Sequence, residues 1–173
     1  MARAEDKTVL IVEDEPDVRL FLQTVVEDAG FNVETASDGE EALEKIREKK
    51  PDFISLDLVL PKKSGHKLLH ELKKDNELAQ IPVLIVTAHA KDALGKGQME
   101  EILKDPVLLG PGMFLEKPVN PLNYIRCIKR SLGIEETKGT EEKIKLKEDL
   151  RHIIDESDAD TLRRALKELQ KEK

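Results

Sequence analysis

Short apolar runs alternate along this chain with stretches whose apolar residues recur at helical spacing. That alternation limits the fold more than any single residue does. The runs fall at Thr8–Val12, Asn32–Ala36, residues 52–57, Val83–Thr87 and residues 113–115. Between the first two, Val18, Phe21, Leu22, Val25, Val26 and Ala29 recur on one helical face. Pro16 suits the first turn of that helix and Gly30 its stop. Ser37-Asp38-Gly39-Glu40 reads as a capping box that opens the next helix, through about Lys49, and Pro51 marks the return to strand. Leu68, Leu69 and Leu72 define a helix after Gly65, and Asn120-Pro121 opens another that runs through Leu132 and closes at Gly133. Strands alternating with helices over short connections predict an α/β fold with a doubly wound parallel sheet.

Composition narrows the function. The 173 residues leave room for one ordinary domain and a short appendage. Hydrophobic residues make up 39% and charged residues 38%, which predicts a core beneath a heavily charged surface. Trp is absent and aromatics are few, the net charge is −7, and no block of Lys and Arg stands out. Nucleic acid is therefore not an expected partner. The lone Cys127 excludes an internal disulfide framework and suits a reducing cytosol. No apolar run approaches transmembrane length, and residues 1–7 carry no signal-like apolar stretch. The expected location is cytoplasmic, with no membrane partner. No internal repeat or low-complexity segment is visible.

The polar residues at the strand ends carry the chemistry. Asp57 follows Phe53-Ile54-Ser55-Leu56, where a core or strand position would disfavour an acid. Glu13 and Asp14 follow the first run, Thr87 ends the fourth, and Lys117 follows Phe114-Leu115-Glu116. Ligands in parallel sheets bind beyond the carboxyl ends of the strands. Three carboxylates, a hydroxyl and an ammonium at one sheet edge fit a hard divalent cation and a phosphoryl group. A carboxylate can attack phosphorus to give an acyl phosphate, and such transfer depends on positioning and charge neutralisation. Mg²⁺ takes one or two carboxylates together with phosphate oxygens and water. Asp57 is thus the candidate phosphoacceptor, Asp14 the candidate direct metal ligand, and Glu13 a ligand directly or through water. Taken singly, each residue has a plainer reading. Glu13 and Asp14 could cap a helix, Asp57 could serve a turn before Pro61, Thr87 could be a strand former and Lys117 a solvated charge. Their joint occurrence at successive strand ends favours the site. His66, His70 and His152 show no metal-ligand spacing with Cys127 or with each other.

These residues resemble the receiver domain of two-component response regulators over about residues 7–132. The motifs are Val-Glu-Asp-Glu-Pro at 12–16, Asp-Leu-Val-Leu-Pro-Lys-Lys-Ser-Gly at 57–65, Thr-Ala at 87–88 and Lys-Pro at 117–118. The resemblance implies a flavodoxin-like five-stranded parallel sheet in order 2-1-3-4-5. It also implies that the Val59 main-chain carbonyl joins Glu13, Asp14 and Asp57 around Mg²⁺, and that Lys117 and Thr87 meet the phosphoryl oxygens. Phe114 matches the switch aromatic of the family; without a hydroxyl, it cannot signal through a hydrogen bond. Val59 and His89 match positions that tune dephosphorylation, and an apolar Val59 predicts a long-lived phosphoform. The sequence departs from the family over residues 88–113. The Thr87–Lys117 interval is longer than usual by about two helical turns. It holds Gly95-Lys96-Gly97 and the apolar Val107-Leu108-Leu109 among glycines and prolines, and the usual Gly-Ala before the switch aromatic is missing. Either these leucines patch the core or the segment is a docking surface.

The expected domains are a receiver over 1–132, a linker over 133–139 and a two-helix extension over 140–173. Leu146, Leu150, Ile153 and Ile154 mark the first extension helix. Ser157-Asp158-Ala159-Asp160 reads as the capping box of the second, whose stripe is Leu162, Ala165, Leu166 and Leu169. Two short helices bury too little to fold alone. They pack on each other or on the sheet domain, pair with a second chain to form a homodimer, or bind a target.

The leading expectation is a signalling switch and not a metabolic enzyme. A sensor histidine kinase or phosphotransfer protein would donate to Asp57, and a protein target would read the 88–132 face and the tail. An aspartyl-phosphate hydrolase, or phosphatase, is the alternative of a different class. It would need a second acid two residues after Asp57, where Val59 stands. A phosphorylation-independent, receiver-like scaffold is a third reading, and the intact acid, hydroxyl and ammonium set argues against it.

Overall fold

A computed structural model of the chain describes residues 3–88, 114–134 and 138–171. The chain divides into two compact units, Met1–Glu136 and Thr137–Lys173. The first unit contains β1 (Thr8–Val12), α1 (Pro16–Asp28), β2 (Asn32–Ala36), α2 (Gly39–Glu48), β3 (Phe53–Leu56), α3 (Gly65–Lys74), β4 (Val83–Thr87), β5 (Phe114–Glu116) and α4 (Pro121–Ser131). The second contains α5 (Lys138–Glu156) and α6 (Ala159–Lys171).

The strands form one parallel sheet in the order β2-β1-β3-β4-β5. Every residue of the central strands β1, β3 and β4 is buried, as a parallel sheet covered on both faces requires. Edge strands β2 and β5 are partly exposed. Strand periodicity divides the core in two. Leu10, Val12, Ile54, Leu56, Val83 and Ile85 cluster with Ala42, Leu43 and Ile46 of α2 and with Leu68, Leu69 and Leu72 of α3. The alternate residues Val9, Ile11, Phe53 and Leu84 are buried toward the other face, where Leu22 and Val26 of α1 and Tyr124 and Ile128 of α4 are also buried.

Helix ends follow the residue chemistry. Pro16 occupies the first turn of α1 and Pro121 that of α4, each behind an extended N-cap. Gly30 and Gly133 adopt positive φ just beyond the helices they terminate. Both capping boxes lie one residue later than the sequence pattern predicts. Asp38, not Ser37, caps α2 by accepting from the Glu40 and Glu41 amides. Glu41, not Glu40, reaches back to the Ser37 amide and hydroxyl, at 2.8 Å each. Asp158, not Ser157, caps α6 through the Asp160 and Thr161 amides. In both places two adjacent residues can cap, and the carboxylate takes two amides where a hydroxyl would take one. The third strand stops at Leu56, so Asp57 stands just past it. The last strand is Phe114–Glu116, and residue 113 lies outside the described residues.

Candidate functional site

The strand order reverses between β1 and β3, and this switch point is where the acids gather. The hydrogen-bond ladder continues one step beyond the strands. The Glu13 amide donates to the Ala36 carbonyl, the Asp57 amide to Val12 and the Lys117 amide to Thr87, each at 3.0 Å. These bonds fix the main chain of three site residues to the rigid sheet. The Lys117–Pro118 peptide is cis.

Glu13 is 1% exposed and Asp57 5%, whereas Asp14 is exposed at the mouth of the site. One carboxylate oxygen from each of the three lies within 4.8 Å of the others. Lys117 Nζ stands 2.8 Å from Asp57 Oδ2 and 2.8 Å from Glu13 Oε2, with Glu15 Oε1 at 3.8 Å. The second Asp57 oxygen accepts from the Val59 amide at 2.9 Å. Glu13 Oε1 accepts from the Glu15 amide at 3.3 Å. Burial pushes the Glu13 carboxyl above its ordinary range, and the ion pair with Lys117 offsets only part of that. Burial also pulls on Lys117, but its bonds to Asp57 and Glu13 outweigh it and hold the ammonium above its ordinary value. One cation shared by two buried acids leaves net negative charge in the cleft. With the exposed Asp14 beside it, the donor set is all oxygen, the set hard divalent cations prefer.

Thr87 ends β4 at 1% exposure, and its hydroxyl has no hydrogen-bond partner among the described residues. Phe114 pairs with Ile85 across the β4–β5 ladder and packs half-buried against the core cluster. Val59 is 55% exposed, so its side chain stands in solvent at the mouth of the cleft. His89 and the rest of the lengthened interval, 89–113, lie outside the described residues. The plainer reading of Glu13 and Asp14 as helix caps does not hold, because Glu15 is the N-cap of α1 and makes no side-chain cap bond. Gly65 opens α3 directly against the main chain of Asp57 and Leu58; a Cβ there would overlap the Asp57 carbonyl. Glycine's missing side chain is what lets α3 start this close to the acceptor. Two contacts escaped the sequence reading, those of Glu15 to Lys117 and of Arg19 to the carbonyls of Glu13 and Asp14.

A sheet of this order with an acid cluster at its switch point defines a class, the receiver-type signalling domains. The family model for the response regulator receiver domain matches residues 9–123, and the chain belongs to that family. The polar-differentiation response regulator DivK of Brucella anthropi is 38% identical over 128 residues, covering 73% of this chain and 97% of DivK. The chemotaxis response regulator CheY4 of Vibrio cholerae has a TM-score of 0.60 at 28% identity, covering 72% of this chain and 98% of CheY4. The receiver domain of the sensor histidine kinase PA1611 from Pseudomonas aeruginosa PAO1, solved with a magnesium ion coordinated in its active-site cleft, shares the fold. Its TM-score is 0.63 at 23% identity, covering 73% of this chain and 98% of that one. Relatives that align over nearly their whole length thus leave about a quarter of this chain unmatched.

Proposed function

We propose that this chain is a phosphorylation-controlled switch in which Asp57 accepts a phosphoryl group from a sensor histidine kinase or a phosphotransfer protein. The observation that carries the reading is the sealed acid pair bridged by Lys117, next to a buried Thr87 hydroxyl that lacks a partner among the described residues. Such a hydroxyl has a bond to make in a second state of the site.

An Asp57 carboxylate oxygen attacks phosphorus, and the bond from phosphorus to the donor's imidazole nitrogen breaks with its electron pair returning to that nitrogen. Asp14, Glu13, Asp57 and the Val59 carbonyl are the groups that would hold Mg²⁺. When bound there, the ion neutralises charge on the phosphoryl oxygens and the acids. Lys117 exchanges its bond to Asp57 for one to a phosphoryl oxygen. Thr87 donates its hydroxyl to another, and Phe114 turns inward behind it. Those movements favour a second conformation of the 88–132 face, which a target protein reads. Val59 offers no group to orient water, so the phosphoform is long-lived; the same absence removes the general acid a hydrolase would need. His89 is the other residue we assign to tuning dephosphorylation. The tail beyond the receiver serves association of the chain with a second copy. The location we propose for the chain is the cytoplasm; no helix among the described residues is long and apolar enough to cross a membrane.

NMR titration of the full chain with Mg²⁺ and beryllofluoride tests the switch. Shifts around Asp57, Thr87 and Phe114 are expected, and none in Asp57→Asn. A wild-type spectrum that does not move would reduce the chain to a receiver-like scaffold.

A further inference from the structure

The main chain of residues 13–14 must hold its shape for the acids to converge, and one side chain grips it. Arg19 Nη1 donates to the Glu13 carbonyl at 2.7 Å and to the Asp14 carbonyl at 3.2 Å. Two consecutive peptide planes are thereby fixed, and with them the direction in which Asp14 leaves the backbone. We propose that Arg19 is a positioning residue for the divalent-cation site, holding this loop so that Glu13 and Asp14 face the cation beside Asp57. The inference rests on the receiver reading of the site.

Arg19 is the fourth residue of α1, near the helix end where the dipole disfavours a cation. The helix itself therefore gains nothing from Arg there, and its bonds go to the loop. The other bonds to the loop's side chains are of a different kind. The Glu15 amide and Lys117 both bond Glu13 carboxylate oxygens. Those are the atoms a cation would take, so these bonds compete with metal. The bonds from Arg19 end on main-chain carbonyls and leave every carboxylate oxygen of the loop free of it. The Glu13 amide also bonds the Ala36 carbonyl, but that bond reaches only the first residue of the loop. Of the restraints that involve a side chain, Arg19 is the one that does not compete with occupancy of the site. Outer groups that orient ligands in this way commonly govern metal affinity by 10–100-fold.

Mg²⁺ titration of the full chain, followed by amide shifts at Asp14 and Asp57, tests this in wild type, Arg19→Ala and Arg19→Lys. Arg19→Ala is expected to weaken Mg²⁺ about tenfold, and Arg19→Lys, which keeps one cationic donor, to recover part of the loss. Phosphorylation of Arg19→Ala by acetyl phosphate is correspondingly expected to need about tenfold more Mg²⁺ to reach half its maximal rate. Arg19→Gln stands in where Ala fails to fold, with the same expected loss of affinity. Equal Mg²⁺ affinity in wild type and the variants, with or without a loss of stability, overturns the positioning role while leaving the receiver reading intact. A wild-type chain that does not respond to Mg²⁺ at all overturns both.

Discussion

At Thr87 the resting protein keeps a hydroxyl sealed from water with no bonding partner among the described residues. Such a group costs stability until something satisfies it. Val has nearly the same shape without the hydroxyl. Thr87→Val is therefore expected to leave the unphosphorylated protein as stable as wild type or up to about 1 kcal/mol more stable by urea unfolding. The same variant should no longer pass the beryllofluoride response on to Phe114. A loss of about 2 kcal/mol would mean that the hydroxyl is already bonded at rest. Asp57, Thr87 and Lys117 were legible from the chain because each is a polar residue at or just past the end of an apolar run. The bridge that Lys117 makes was not. It joins acids from two other strands, one of them 60 positions away, and only the folded register brings them within 2.8 Å. Arg19 escaped for a related reason: its partners are carbonyls, which have no identity in a sequence. Its one visible sign was a cation placed where a helix start disfavours it.

Two helix starts hold the loops around the acceptor. α3 begins at Gly65, pressed against the Asp57 and Leu58 main chain, with Ser64 capping the Lys67 amide. Gly65→Ala would force that helix away from the strand end. We expect a stability loss of about 1–3 kcal/mol by urea unfolding, as for other overpacked sites, together with slower phosphorylation by acetyl phosphate. Unchanged stability would mean that the helix start can shift freely. At α2, the Asp38 cap is also paired with Lys62 at 2.7 Å, tying the β3–α3 loop to this helix. Glu41 closes the same turn. Lys45 first, and then the Ser37 amide and hydroxyl, pull its carboxyl down to about 2 from an ordinary 4.5. A carboxyl depressed by folding stabilises above its unfolded value, and that contribution is lost as pH falls from there toward about 2. Glu41 is more than a third exposed, so screening leaves about 1 kcal/mol. Glu41→Gln should therefore destabilise by that amount at pH 7, with the gap to wild type closing as the pH falls through this window. A gap independent of pH would assign the effect to packing. Three of the five strands coincide with apolar runs read from the chain, at Thr8–Val12, Asn32–Ala36 and Val83–Thr87. The caps came out one residue off, because Ser-Asp pairs offer two capping groups and pattern alone does not rank them.

Charge is divided unevenly over the whole chain. Residues 137–173 carry ten acidic and ten basic side chains, so the net −7 resides entirely in residues 1–136. Two receivers brought together repel, whereas two tails do not. The tail also holds most of the large apolar side chains left in solvent among the described residues. Leu146, Leu150, Ile153 and Ile154 of α5 and Leu166 of α6 are each about half exposed, against Leu20 and Val59 in the receiver. Helices of 19 and 13 residues are marginal by themselves and gain stability by covering such a face. A second tail can cover it without bringing in net charge. The full chain is therefore expected to self-associate in light scattering, and removal of residues 134–173 to return it to a monomer. Leu150→Glu should do the same by placing a charge in the middle of the stripe. Added salt should strengthen association by screening the receivers from each other while leaving the apolar contact in place. A full-length chain that is monomeric at every salt concentration, or a truncated one that associates equally well, would remove the tail from this role.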